Sequence, residues 1–226
     1  EEGLYYRDAK YVYPKHKSLN GKKDFWARGD GWVLAALAKV LKDLPEGYEH
    51  LSFFEDKFVR MAKAVACLQQ PEGYWTRSMM DPEHAPGPET SGTAFFTYGM
   101  LWGINNGYLD KDEFMPVVEK AWKYLTKTAL QKDWSVGYVQ PIGEKAIPGQ
   151  VVDAKSTANF GVGAFLLAAC EYVRYLEANN NETRKYWTDM AYRMAAPVLS
   201  NMAKGELQKN MILEVSPNWD NRNKKV

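Results

Sequence analysis

Apolar residues recur three and four positions apart through most of the chain, a spacing that predicts six helices. The first spans about 31–43, with Val33, Leu34, Leu37, Val40 and Leu41 on one face, and stops at Leu44-Pro45-Glu46-Gly47. The second, about 51–69, stripes Phe54, Phe58, Met61, Val65 and Leu68. The third, about 91–106, is apolar nearly all round, from Ala94, Phe95 and Phe96 to Trp102 and Ile104. The fourth, about 111–129, is amphipathic through Phe114, Val118, Trp122 and Leu125, with Asp110 as N-cap and Glu113 completing a capping box. The fifth, about 158–177, is rich in small residues, among them Gly161, Gly163, Ala164, Ala168 and Ala169. The sixth, about 183–203, mixes charges with Trp187, Met190 and Met194, and Pro197 predicts a kink or break there.

The helices alternate in character. The first, third and fifth read as surrounded by protein, and the second, fourth and sixth carry a polar face that reads as outer. The loops repeat too. Gly3-Leu4-Tyr5-Tyr6, Gly73-Tyr74-Trp75 and Gly137-Tyr138-Val139 recur with a period of about 60–70 residues, and Gly31, Gly92 and Gly161 stand near inner-helix starts. Loop, inner helix and outer helix together make a helical-hairpin repeat. The expectation is therefore an all-α fold of about three hairpins from a toroid that commonly uses six, with short strand-like pieces in the loops. The long loops cluster at one mouth, where binding residues sit. Because the first repeat opens mid-unit, the chain reads as part of a larger protein, its edges covered by the missing half of its own domain or by a second copy.

Composition narrows the partners. The 226 residues hold 29 Lys+Arg against 28 Asp+Glu, a net charge of +1 that points to neither nucleic acid nor an anionic membrane. No apolar run reaches the roughly 18–20 residues of a membrane span. Glu1 and Glu2 do not open a signal peptide. Cys67 and Cys170 sit in helical patterns and read as two buried thiols. No Cys–His cluster has zinc spacing, and His16, His50 and His84 are scattered, so no metal and no cofactor are expected. Aromatic residues, at 14%, are abundant and many lie in loops beside glycine.

The chemistry concentrates in Phe25-Trp26-Ala27-Arg28-Gly29-Asp30-Gly31-Trp32. Gly29 and Gly31 suggest turn geometry, and Asp30 suits the N-cap of the following helix. Arg28 offers a planar fork for a carboxylate, or alternatively ties loop carbonyls together. Trp26 and Trp32 offer flat faces for a sugar ring, and Trp26 could equally pack under the loop. At a helix N-terminus, where the dipole favours anions, the set points to an acidic saccharide. Glu89, Thr90 and Ser91 either cap the third helix or face the site. His16, between Lys15 and Lys17, is either a solvated charge or a lid over an acidic sugar.

These motifs, with Pro88-Glu89-Thr90-Ser91-Gly92-Thr93-Ala94 and Gly161-Val162-Gly163-Ala164-Phe165-Leu166-Leu167-Ala168, resemble glycoside hydrolase family 105, the unsaturated rhamnogalacturonyl and related uronyl hydrolases. The resemblance covers residues 1–178 and corresponds to the C-terminal half of that family's domain. It implies an (α/α)6 toroid that hydrates the 4,5 double bond of an unsaturated uronic acid left by polysaccharide lyases, in a bacterial cytoplasm or periplasm. An aspartate protonates C4, water attacks C5, and the hemiketal rearranges. The family's Trp-x-Asp-x-Leu motif does not occur here: Asp133 precedes Trp134 and Asp220 follows Trp219, neither at an inner-helix start. The catalytic acid is thus expected outside this chain, with Asp30 as fallback. Arg28 and Trp32 match the family's substrate-binding arginine and tryptophan. Asp30 stands where asparagine is commoner, and Arg7 where rhamnogalacturonyl members have a histidine, which makes Arg7 a further substrate-side candidate. Residues 179–226 form the final outer helix and tail; Met194-Ala195-Ala196-Pro197-Val198-Leu199 and Asn218-Trp219-Asp220-Asn221-Arg222 are similar to the opening of another helical domain family from polysaccharide-degrading bacteria. The alternative to an enzyme is a non-catalytic carbohydrate-binding or scaffold module.

Overall fold

The computed structural model describes residues 2–179 and 183–202, with side chains as far as residue 196. The helices are α1 (Ala27–Asp43), α2 (Leu51–Ala66), α3 (Thr90–Asn105), α4 (Lys111–Tyr124), α5 (Asn159–Ala178) and α6 (Arg184–Met202). A single wider turn, Leu125–Ala129, extends α4. Among the described residues, extended backbone pairs only as isolated bridges between loops, such as Trp26 with Ser78 and Thr76 with Pro88. The expected strand-like pieces are these.

The helices form two layers. In the inner layer α3 lies between α1 and α5, while α2 backs α1, α4 backs α3, and α6 backs α5. This explains why α3 has no polar face: every residue from Thr90 to Gly103 is buried. Phe58, Met61, Phe95, Phe96, Met100, Leu101, Phe114 and Phe165 are the large side chains that fill the space between layers. Each contributes about 1.5–3 kcal/mol by leaving water. Rings close the outer edge, with Trp122 stacked 4.5 Å from Tyr172 and edge-on to Trp187 of α6 at 5.1 Å. Asp110 caps α4 by accepting from the Glu113 N–H at 3.0 Å, as its sequence predicts.

Three expectations need correction. Helix α1 begins at Ala27, four residues before the predicted start, so Gly29 and Gly31 are helical rather than turn residues. Their smallness serves packing instead: a Cβ on Gly31 would meet Phe95 Cβ at 3.0 Å, and one on Gly92 would meet the Ala27 carbonyl carbon at 2.9 Å. Glycine on both sides lets the first turns of α1 and α3 touch through their backbones. Helix α2 ends at Ala66, which leaves Cys67 exposed rather than buried; Cys170 is half-buried, and both thiols are free. Helix α6 is one element to Met202, whereas the Pro197 side chain, the Asn218–Arg222 run and the last residues lie outside the described ones.

The α1–α3 contact makes a prediction of opposite signs. Gly92→Val should destabilise the chain by about 2–3 kcal/mol, because a full side chain must be forced between two backbones. Gly163→Ala, in α5 with open space around its Cα, should stabilise by about 0.5–1 kcal/mol. Urea midpoints read both, and equal shifts for the two variants would contradict the close-approach account.

Candidate functional site

The starts of α1, α3 and α5 come together, Gly92 against Ala27 and Arg28 against Phe160, and the loops 2–26, 67–89 and 130–158 lead into them. Loop carbonyls and side chains meet the first helical N–H groups. The Ala27 N–H donates to Arg77 O at 3.0 Å, and the Thr90 N–H to Tyr138 O at 2.9 Å. At the head of α3 the Glu89 carboxylate accepts from the Ser91 and Gly92 N–H groups at 3.2 and 2.6 Å, and from the Ser91 hydroxyl at 2.7 Å. Glu89 is therefore the N-cap of α3, worth about 0.5–2 kcal/mol for such a cap. Thr90 donates its hydroxyl to Gly137 O and pairs with Tyr124 Oη at 2.7 Å. Thr90 and Ser91 are fully buried, so both hydroxyls are spent inside the protein and neither meets the mouth.

Arg28 lies on the first turn of α1 and is 3% exposed. Its Nη1 donates to Gln140 O and its Nη2 to Pro141 O at 2.9 Å. The guanidinium is held 4.7 Å from the Trp26 ring centroid and 4.6 Å from that of Phe160. Of the two sequence readings of Arg28, the tie to loop carbonyls is thus present. Two of the five donors of the fork serve it. Burial lowers the Arg28 pKa, and the Glu89 charge opposes that shift. Trp26 donates its indole N–H to Gln140 Oε1 at 2.8 Å, which makes it a fixed packing ring. Trp32, one helical turn beyond Arg28 and therefore on the same face, is 52% exposed. Its ring leans on Phe95 at 4.3 Å and leaves an open surface.

The remaining sequence-selected residues fall elsewhere. Asp30 is not the N-cap of α1, because the helix starts earlier and Trp26 takes that position. Its side chain is fully buried: Oδ1 accepts from the Tyr5 N–H at 2.8 Å and Oδ2 has no partner. A group with no exposed surface offers a ligand nothing to touch. Arg7 pairs in the open with Asp8 and with Glu144 at 2.8 and 2.9 Å, tying the N-terminal loop to the loop before α5. His16 is not a free surface charge. It bonds to the buried Asp24 at 2.7 Å, and His84 approaches the same Asp24 oxygen at 3.7 Å. Two of the three supposedly scattered histidines therefore converge. Among the described residues no group of three or more His, Cys, Asp or Glu is arranged to hold a metal ion.

Sequence reasoning missed Gln140 and Arg77, both buried and both bonded across loops. Arg77 donates to Gln150 O at 2.8 Å and Pro86 O at 2.6 Å. Neither stands in a periodic segment, so the only signal was the repeated glycine-aromatic loop itself.

The described helices pair into a two-layer hairpin array, a helical-toroid arrangement, with Trp26, Arg28 and Trp32 at the start of an inner helix. The chain belongs to glycosyl hydrolase family 88, whose model matches residues 1–176. It is 42% identical over 181 residues to an unsaturated 3S-rhamnoglycuronyl hydrolase from Formosa agariphila, covering 78% of this chain and 47% of that one. A solved structure described as a polysaccharide lyase is 76% identical with a TM-score of 0.75, over 78% of this chain and 50% of that one. A family 88 glycosyl hydrolase from Bacteroides vulgatus is 69% identical, again with a TM-score of 0.75, over 77% and 50%. A possible family 105 member from Salmonella enterica, 24% identical with a TM-score of 0.60 over 73% of this chain and 43% of that one, shares the fold. The family 105 resemblance is thus one of fold, while the matching family model is that of family 88. The chain spans about half the length of the relatives it matches.

Asp30 makes this end of the molecule pH-sensitive. Burial with no cation alongside pushes its pKa from 3.8 up to about 8, against the lowering effect of the Tyr5 N–H. The folded chain keeps a proton that the unfolded chain loses between those values, so stability falls as pH rises through that window. Asp30→Asn removes the titration. The variant should be more stable than the wild type at pH 8 by at least about 1–2 kcal/mol, a gain that disappears near pH 4. Urea midpoints at the two pH values test this, and parallel pH profiles would contradict it.

Proposed function

We propose that this chain carries the substrate-holding side of an enzyme that removes a 4,5-unsaturated uronic acid from the end of a lyase-generated oligosaccharide. The observation that supports the reading best is the pairing of Arg28 and Trp32 on one face of α1, at the convergence of three inner-helix N-termini. The helix dipoles and the buried Arg28 and Arg77 favour an anion there. The open face of Trp32 suits the flat apolar side of a sugar ring. The names of the family 88 relatives point to the same substrate class.

In this reading the three donors that Arg28 has left address the uronate carboxylate or an adjacent hydroxyl when the mouth opens to substrate. Binding places the C4–C5 double bond above Trp32. A carboxylic acid then gives a proton to C4, and water adds to C5. The resulting hemiketal opens and the glycosidic oxygen leaves. One group serving as acid and then base works best with a pKa near the working pH. Within this chain the acids of the mouth are committed: Glu89 to capping and Asp30 to Tyr5. We therefore assign that acid to the other half of the domain and place this chain as the C-terminal half. The 76% identical neighbour described as a lyase favours a second reading, in which the same mouth serves β-elimination.

Ultraviolet absorbance of the unsaturated uronyl group separates the readings by sign, measured on this chain and on the gene product as the cell makes it. Loss of absorbance on pectic, glycosaminoglycan or ulvan-type lyase products supports the hydrolase. A gain on the intact polysaccharides overturns it in favour of the lyase, and binding without either change leaves a carbohydrate-binding module. Arg28→Ala should weaken binding of the acidic sugar about 100-fold, from roughly 2–3 kcal/mol for a charged hydrogen bond. Trp32→Ala should weaken it about tenfold with little change in urea midpoint, since its ring is half exposed already. Unchanged affinity in both variants would place the site elsewhere.

A further inference from the structure

We propose that Gln140 is the positioning residue of this mouth, the group that holds Trp26, Arg28 and the 141–150 loop as one rigid unit. The proposal rests on the saccharide reading of the mouth given above. Gln140 is fully buried, and every polar group it owns is used. Its Oε1 accepts from Trp26 Nε1 at 2.8 Å. Its Nε2 donates to Lys145 O at 2.9 Å and to Gln150 Oε1 at 3.0 Å. Its main-chain N–H donates to Glu89 Oε1 at 3.1 Å, and its carbonyl accepts from Arg28. One residue thus joins the start of α1, the cap of α3 and the middle and far end of the 141–150 loop.

The residue type is required by this set of partners. Only a primary amide offers an acceptor and two donors on one planar head. Glutamate would keep the acceptor for Trp26 but lose both donors, and would set a second carboxylate beside Glu89. Methionine would fill the volume and leave the Trp26 indole, Lys145 O and Gln150 Oε1 without that partner. The connection to Arg28 is mechanical as well as direct. Trp26 is the ring on which the guanidinium rests, 4.7 Å from its centroid, and Pro141, next along the chain, supplies the second carbonyl that Arg28 grips. The chain of bonds continues from Gln150 through its carbonyl to Arg77 and on to Pro86. Gln140 therefore acts through Arg28 and Trp26, and loss of its side chain loosens the ring and the loop carbonyls that hold the guanidinium in place.

The test follows indole N–H resonances of the ¹⁵N-labelled chain while an unsaturated uronyl disaccharide is titrated in. Trp26 reports the Gln140 contact, and Trp75, which donates to Val65 O at 2.8 Å in the core, reports the fold. Gln140→Met should move the Trp26 resonance, leave that of Trp75 in place and weaken the disaccharide about 10–100-fold, as expected when buried groups lose a partner. Gln140→Glu should keep the Trp26 resonance near its wild-type position while amide exchange in residues 141–150 accelerates. Gln150→Ala, which removes one partner from the outside, should weaken binding less and add little to Gln140→Met. A shifted Trp26 resonance with unchanged disaccharide affinity overturns the proposal and leaves the saccharide reading intact. Wild-type chain that binds no disaccharide overturns the saccharide reading, and the proposal falls with it. If Gln140→Met loses the Trp75 resonance, Gln150→Ala decides, and full affinity in that variant overturns the proposal.

Discussion

Three helices that begin at one place bring their unpaired N–H groups there together, and the rest of the mouth is organised around satisfying them. Each helix start leaves four such donors. Only α3 has a side-chain cap, Glu89; α1 and α5 have none. Loop carbonyls meet other N–H groups of these starts, those of Arg77 and Tyr138 among them. Tyr138 itself adopts a left-handed backbone, φ 58°, to present its carbonyl to Thr90. The loops are long because they must reach across to the helix starts, and many of their own polar groups are engaged in doing so.

The electrostatics follow from that construction. Arg28 and Arg77 both lose hydration, which lowers their pKa, and the charge of Glu89 favours the ionised form of each. Asp30, with no cation beside it, takes the other course and keeps its proton to about pH 8. Around Glu89 the buried charge is thus two cations, Arg28 and Arg77, against one anion, added to the positive helix ends, while the buried Asp24 is engaged by His16 and Asp81 by Asn20 and Lys22. An anionic ligand complements this arrangement, whereas a neutral one leaves it uncompensated.

Much of the scaffold was legible in the residues. The period of α3, apolar on every side, announced an inner helix, and Asp110 announced the start of α4. Arg28 and Trp32 were legible by residue type and by their place beside a helix start. They were not legible as two residues of one helical face, because the spacing predicts that helix only from residue 31 and α1 begins at Ala27. Asp30 misled for a physical reason: its residue type favours caps, but α1 starts earlier, where Gly31 and Gly92 let it seat against α3. Tertiary packing there overrides the local cap signal. Gln140 was marked only by the repeated glycine-aromatic loop that precedes it, and the meeting of His16 and His84 on Asp24 left no trace, since no periodicity links these residues.

The central claim is that this mouth recognises a uronate through its charge. Calorimetric titration of the 226-residue chain with an unsaturated uronyl disaccharide and with its methyl ester measures this most directly. The account predicts binding of the free acid and a loss of at least about tenfold, ~1.4 kcal/mol, on esterification. Equal affinity for acid and ester would contradict it.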